Sequence, residues 1–181
     1  MNEVLKAISE RNSCRDFSGE PLSKEQIDIL VKAALAAPSA MNLQPWHIIV
    51  VTDQALISEL DAEVMEYVKK DAEFSKKMQE RGGKAFYNAP CLIVIAKNDA
   101  KYATLDAGIV SQNIALAAHS MGLGNVICGM ARIPFDGPKG EEFTKRLKIP
   151  EGYVFGMSVC VGKANSGKAP HELDFAKVTY I

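Results

Sequence analysis

Residues 101–130 read KYATLDAGIVSQNIALAAHSMGLGNVICGM, and the fold turns on how this stretch is covered. Ala107, Val110, Ile114, Ala117 and Met121 recur at helical spacing, and Leu105, Ile109 and Leu116 add a second, nearby apolar face. Between Lys101 and Arg132 the only acidic or basic side chains are Asp106 and His119. A helix apolar over most of its circumference has to be buried over most of it. A central helix beneath a sheet would do this, and so would a subunit interface. The interface is the expectation here, because one protomer of this length can hardly cover the helix from every side. Gly122 reads as the C-cap that ends it.

Outward from this helix, four runs have strand character. They are WHIIVVT at 46–52, PCLIVIAK at 90–97, NVICGMA at 125–131 and YVFGMSVCVG at 153–162. A first helix is expected over Asn2–Glu10, with Val4, Leu5 and Ile8 on one face. A second opens on the capping-box pair Ser23 and Gln26, carries Ile27, Leu30, Val31, Ala34 and Leu35, and stops before Pro38. Asp53 can cap a third helix bearing Leu56, Leu60, Val64 and Val68, and an amphipathic helix is expected over 140–147. The polar stretch Asp71–Gly83 has the least core character and reads as a mobile cover. Strands separated by helical stretches of unequal length argue for an α+β sandwich, a small sheet flanked by helices, and against an evenly wound α/β fold.

The chain has 181 residues, which suits one domain spanning 1–181. Its 21 Lys+Arg balance 22 Asp+Glu to a net charge of −1, so no basic footprint for nucleic acid exists. No apolar run approaches the roughly 20 residues of a membrane span. The first residues lack the apolar core of a signal peptide. Cys14, Cys91, Cys128 and Cys160 are widely spaced and unpaired with His47, His119 or His171, which argues against a zinc site or disulfide framework. A cytoplasmic protein is expected.

Three features carry chemistry. Arg11, Ser13 and Arg15 lie two residues apart, so in an extended segment they share one side, with Asn12 and Cys14 turned away. Two guanidiniums beside a hydroxyl suit a phosphate, unless Glu10, Asp16 or Glu20 neutralises them. The loop Pro38-Ser-Ala-Met-Asn-Leu-Gln-Pro45-Trp46 joins a capped helix to a strand and offers Ser39, Asn42 and Gln44 without a charge. Such groups fit the edge of a polar heterocycle or simply satisfy the loop itself. Trp46 reads as a core anchor. Gly129, in a strand-like run, marks a place where backbone could approach a ligand. Gly122-Leu-Gly124 fails the dinucleotide fingerprint, since the third glycine would fall at Ile127 and the pair follows a helix. No P-loop, hydrolase triad or HExxH motif is present.

Taken in order, R-x-S-x-R, PSAMNLQPW, DAGIVSQNIALAAHSMGLGNVICGM and LKIPEGYVFGMSVCVG resemble the FMN-dependent nitroreductase family along nearly the whole chain. The resemblance implies a mostly antiparallel central sheet, an interlocked homodimer and FMN as cofactor. NADH or NADPH would deliver hydride to flavin N5, and a small electron-poor acceptor (a nitroaromatic, a quinone or a flavin) would then use the same pocket. It further implies that Arg11, Asn12, Ser13 and Arg15 surround the ribityl phosphate and adjoining ring edge. Pro38, Ser39, Ala40, Asn42 and Gln44 would reach the partner's flavin, and Cys128 and Gly129 would face N5. A basic residue of the tail, Lys168 or His171, would complete the phosphate site. No catalytic side chain is implied, because the flavin carries the redox chemistry. The alternatives are a flavin-storage protein without turnover, a dehalogenase or flavin-degrading enzyme of the same fold, and a dimer without flavin.

Overall fold

Helix starts follow from side-chain caps. The computed structural model describes residues 2–181. Asn2 accepts the Leu5 N–H at the head of α1 (Glu3–Glu10), and Ser23 and Gln26 form the reciprocal capping box of α2 (Lys24–Leu35). Asp53 accepts the Ala55 and Leu56 N–H groups of α3 (Gln54–Val68), and Asp71 accepts the Phe74 N–H of α4 (Ala72–Glu80). The apolar helix, α5, spans Ala103–Ser120. It closes on Gly122 at φ +72, where the Gly122 and Leu123 N–H groups donate to the carbonyls of His119 and Ala118. Two short helices follow, α6 (Ile133–Asp136) and α7 (Gly140–Arg146).

The strands are β1 (Trp46–Val51), β2 (Cys91–Lys97), β3 (Gly124–Ile127) and β4 (Val154–Gly162). They form one sheet in the order β1-β2-β4-β3 with every neighbouring pair antiparallel. Alternation along β2 divides its side chains between two cores. Cys91, Ile93 and Ile95 pack with Trp46, α2 and α5, while Leu92, Val94 and Ala96 pack with α3. Helices on both faces explain why this strand is apolar without a break.

Within one chain, α5 takes the central position. Val110 and Ile114 are fully buried between α2 and the sheet, and each contributes about 1.5–3 kcal/mol by burial. Asn113 donates to the Ala33 carbonyl at 3.1 Å and Asn125 to that of Ala115 at 3.1 Å, tying α5 to α2 and β3. The sheet and α2 therefore cover the first stripe within one chain, so this face of the helix needs no partner. The second stripe is left open: Leu105 is 65% exposed, and Ile109 and Leu116 are half-buried. Val4, Leu5 and Ile8 on α1 are exposed as well.

Two local readings need correction. Residues 71–83 contain a docked helix: Met78 of α4 is fully buried and Phe74 packs against the same core. Only that narrow i, i+4 stripe faces inward, so composition hides it. Gly129 lies outside the sheet, since β3 ends at Ile127 and Gly129–Arg132 form a 3-10 turn.

All four cysteines are free and buried. Burial pushes the Cys14 thiol up and the Cys91 thiol up to about 12. At pH 8 the Cys91 thiolate fraction is then on the order of one in ten thousand. Brief iodoacetamide treatment of the folded protein, read by mass spectrometry, should leave Cys91 unmodified and label it after denaturation. Modification of Cys91 in the folded state would contradict this packing.

Candidate functional site

The segment after α1 is extended and pinned by its alternate residues. Ser13 forms a parallel bridge with Asn125, and the Cys14 N–H donates to the Asn125 carbonyl at 2.8 Å. Cys14 points into the core, which turns its neighbours Ser13 and Arg15 outward; the alternation ends before Phe17, which is buried as well. A Cβ on Gly124 would meet the Cys14 sulfur at 2.9 Å, so glycine is needed for this close approach. Arg15 Nη1 lies 3.5 Å from the Ser13 backbone carbonyl.

Three of the neighbouring carboxylates, those nearest in sequence, face other groups. Glu20 pairs with Lys163 at 3.1 Å, Asp16 accepts from Asn165 at 2.9 Å, and Glu10 faces His119 at 4.0 Å. Among the described residues, Arg132 and Arg146 form ion pairs while Arg11, Arg15 and Arg81 form none. Half-buried arginines without carboxylates are poised for an external anion.

Arg15 also lines a cleft of about 490 Å³ with Asp16, Glu80, Arg81, Gly82, Lys84 and Tyr87, so the two arginines and the lysine share it with two carboxylates. Sequence alone does not bring residues 81–87 to this cleft. The available signal was the pair of cations flanking Gly82 and Gly83, which adopt φ +89 and +68. The turn that follows is tightly held. Asp61 accepts the Phe86 N–H at 2.8 Å; burial pushes its carboxyl up, against the pull of the Phe86 and Ala85 amides. Tyr87 and Asn88 are left-handed at φ 56 and 65, and the Tyr87 carbonyl accepts the Phe17 N–H at 3.2 Å. Consecutive left-handed non-glycine residues persist where surrounding structure fixes them. Here they join the basic turn to the Arg15 segment.

The tail starts along the same segment. Ser18 N–H donates to the Lys163 carbonyl at 2.9 Å and Asn165 N–H to the Asp16 carbonyl at 3.1 Å. Lys168 is three residues beyond Asn165, within about 10 Å of chain reach, and His171 is farther along. Both are exposed. Asn12 is half-buried, its side chain 3.4 Å from the Glu10 carbonyl.

The loop following α2 is strained and internally bonded. Met41, Asn42 and Gln44 have φ of 53, 56 and 47. Ser39 Oγ accepts the Gln44 N–H at 2.9 Å, and Gln44 Nε2 donates to Asn42 Oδ1 at 3.0 Å. Each amide side chain keeps a polar end without a partner among the described residues. Pro38, Ser39 and Ala40 line an apolar hollow of about 310 Å³ with Tyr102, Leu105, Asp106 and Ile109. Trp46 is buried as a core anchor.

Cys128 is buried with its backbone engaged: its N–H donates to the Ser158 carbonyl at 2.8 Å, and its carbonyl accepts from Ser158 Oγ at 2.7 Å. Gly129 is exposed, and no atom lies within 4 Å of where a Cβ would stand. It offers bare backbone to open space.

These parts do not make one pocket in one chain. The amide loop sits at Asp106, near the start of α5. The arginine segment sits near its end, where Glu10 faces His119. Thirteen residues of helix separate the two positions, roughly 20 Å at 1.5 Å per residue.

The profile of the Nitroreductase family matches residues 8–163. The chain belongs to this family. A solved nitroreductase with bound FMN from Desulfitobacterium hafniense DCB-2 is 47% identical, with a TM-score of 0.96 over 100% of this chain and 99% of the other. An FMN reductase (NADPH) of Bacillus subtilis is 30% identical over 94% of this nitroreductase-family chain and 70% of its own length. An NADPH-flavin oxidoreductase of Vibrio harveyi is 32% identical over 90% and 66%. The four-stranded antiparallel sheet flanked by helices is the fold expected of the family. No helix among the described residues is long and apolar enough to cross a membrane.

Proposed function

We propose that this protein is an FMN-dependent NAD(P)H oxidoreductase acting on small electron-poor acceptors. The observation that carries the reading is the set of arginines without carboxylate partners on a segment whose alternation turns them outward. A flavin phosphate and the electron-rich pyrimidine edge of the ring match that donor set. Arg11, Ser13 and Arg15 bind the phosphate and the adjoining ring edge, with Asn12 beside them and Lys168 or His171 closing over from the tail. Gly129 flanks the ring, where the missing Cβ lets it approach, while buried Cys128, its N–H and carbonyl both bound to Ser158, holds the turn from inside. FMN, when bound, supplies a two-electron store that takes a hydride from NADH or NADPH and passes the pair to an acceptor.

A second copy of the chain completes the site. A two-fold axis across the open stripe of α5 sets the loop of one copy against the arginine segment of the other, which spans the roughly 20 Å separation within each chain. Leu105, Ile109 and Leu116 are then covered, Ser39, Asn42 and Gln44 present neutral polar groups to the partner's flavin, and Pro38 and Ala40 give it apolar contact. Residues 1–181 act as one domain, supported by two cores that share a single sheet. Four unpaired buried thiols suit the reducing cytoplasm.

The purified protein should bind FMN and show flavin absorbance. Anaerobic NADH or NADPH should bleach it, and a quinone or nitroaromatic should restore the colour. Because donor and acceptor share one pocket, steady-state kinetics should give parallel double-reciprocal lines. A colourless protein that ignores added FMN would overturn the reading, and intersecting lines would require a separate nicotinamide site.

A further inference from the structure

We propose that Asp106 is a positioning residue that holds the amide loop against the flavin, an inference that rests on the FMN reading above. Asp106 is 3% exposed in the first turn of α5. Its Oδ1 accepts the Ala40 N–H at 3.3 Å, a contact between residues 66 apart in sequence. A carboxylate in a first helical turn commonly bonds back to its own N-cap. The only side-chain bond Asp106 makes among the described residues reaches outward to the loop instead, and the N-cap Tyr102 has no side-chain cap bond. The helix N-terminus also makes this the favourable end of α5 for an anion.

The loop needs such a tether. Its three left-handed residues, Met41, Asn42 and Gln44, are costly for side chains other than glycine, and such backbones persist only where surrounding structure fixes them. The internal bonds, Ser39 to Gln44 and Gln44 to Asn42, set the loop's shape but not its place. At its exit the Asn98 N–H binds the Pro45 carbonyl at 3.1 Å. At its tip the tether is Asp106. Moving the tip shifts Asn42 and Gln44 together, so loss of the tether should weaken contacts to the ring and leave the phosphate clamp intact.

The test uses Asp106→Ala, Asp106→Asn and Ala40→Pro. Proline removes the donor without altering α5, and the preceding Ser39 is already extended at φ −140, ψ 157, as a residue before proline requires. Hydrogen exchange on the apo-protein and binding of FMN and riboflavin are measured. Asp106→Ala and Ala40→Pro should each speed exchange of the hydrogen-bonded Asn42–Gln44 amides about tenfold. Both should weaken FMN and riboflavin by a common factor of about ten, roughly the worth of one charge-assisted hydrogen bond. Asp106→Asn keeps an acceptor and should recover most of both. If Asp106→Ala does not fold, Ala40→Pro carries the test. Exchange and affinities within twofold of the parent in the folded variants would overturn the tether while the FMN reading stands. A parent protein that binds neither flavin would overturn that reading and this proposal with it.

Discussion

Leu105→Asp should sediment as a folded monomer without flavin, whereas Ile114→Asp should fail to fold. Both replace an apolar residue of α5 by a charge, and their different surroundings separate the outcomes. Ile114 is fully buried beneath the sheet within one chain. A charge there has no partner and costs several kcal/mol, a large part of the roughly 5–15 kcal/mol that stabilises a domain. Leu105 is exposed in the protomer, so aspartate in its place keeps its water in a monomer and loses it only in a dimer. Far-UV circular dichroism should show native helix in Leu105→Asp and its loss in Ile114→Asp. Sedimentation velocity and flavin absorbance then test whether dimer and cofactor disappear together. A parent protein that is a flavin-loaded monomer at micromolar concentration, or a dimeric, flavin-loaded Leu105→Asp, would refute the shared site.

The same helix marks where the sequence becomes ambiguous. Its periodicity states that α5 must be covered almost all round, and this is correct for Val110 and Ile114. Which body supplies the cover is not encoded in apolarity: a sheet in the same chain and a second copy demand the same residues. Caps are different, because they are local. Ser23, Asp53 and Gly122 each satisfy backbone groups within a few residues of themselves, so their positions are legible. The outward alternation of Ser13 and Arg15 is legible for the same reason. Helix α4 was hidden because Phe74 and Met78 alone face inward while charged residues fill the rest of its circumference. The basic turn at Arg81 and Lys84 could not be assigned, since its neighbour Arg15 lies far away in sequence and the bond from Phe17 to Tyr87 that joins them is tertiary. The partners of Glu10, Asp16 and Glu20 are tertiary too. They face His119, Asn165 and Lys163, and among the described residues no carboxylate pairs with Arg11 or Arg15.

That competition for carboxylates sets the last expected result. Arg11→Ala and Arg15→Ala should each weaken FMN binding by roughly ten- to hundred-fold. The magnitude follows from about 1.5–3 kcal/mol for a hydrogen bond to a charged group. Riboflavin lacks the phosphate but keeps the ring, so an arginine on the phosphate loses FMN affinity alone and collapses the preference for FMN over riboflavin, whereas one on the ring edge weakens both flavins. Arg146→Ala is the matched control. It removes the same formal charge, but its guanidinium is paired with Glu59 and Glu142, far along the chain from the Arg15 segment. FMN affinity should therefore survive it. Arg15→Lys should lie between parent and alanine, because an ammonium keeps the charge and loses the bidentate fork. Fluorescence titration with both flavins reads all four variants. If Arg11→Ala and Arg15→Ala bind FMN as tightly as the parent, the clamp is misassigned. The anion would then be held by Arg81 and Lys84 across the cleft, and Arg81→Ala should carry the loss instead.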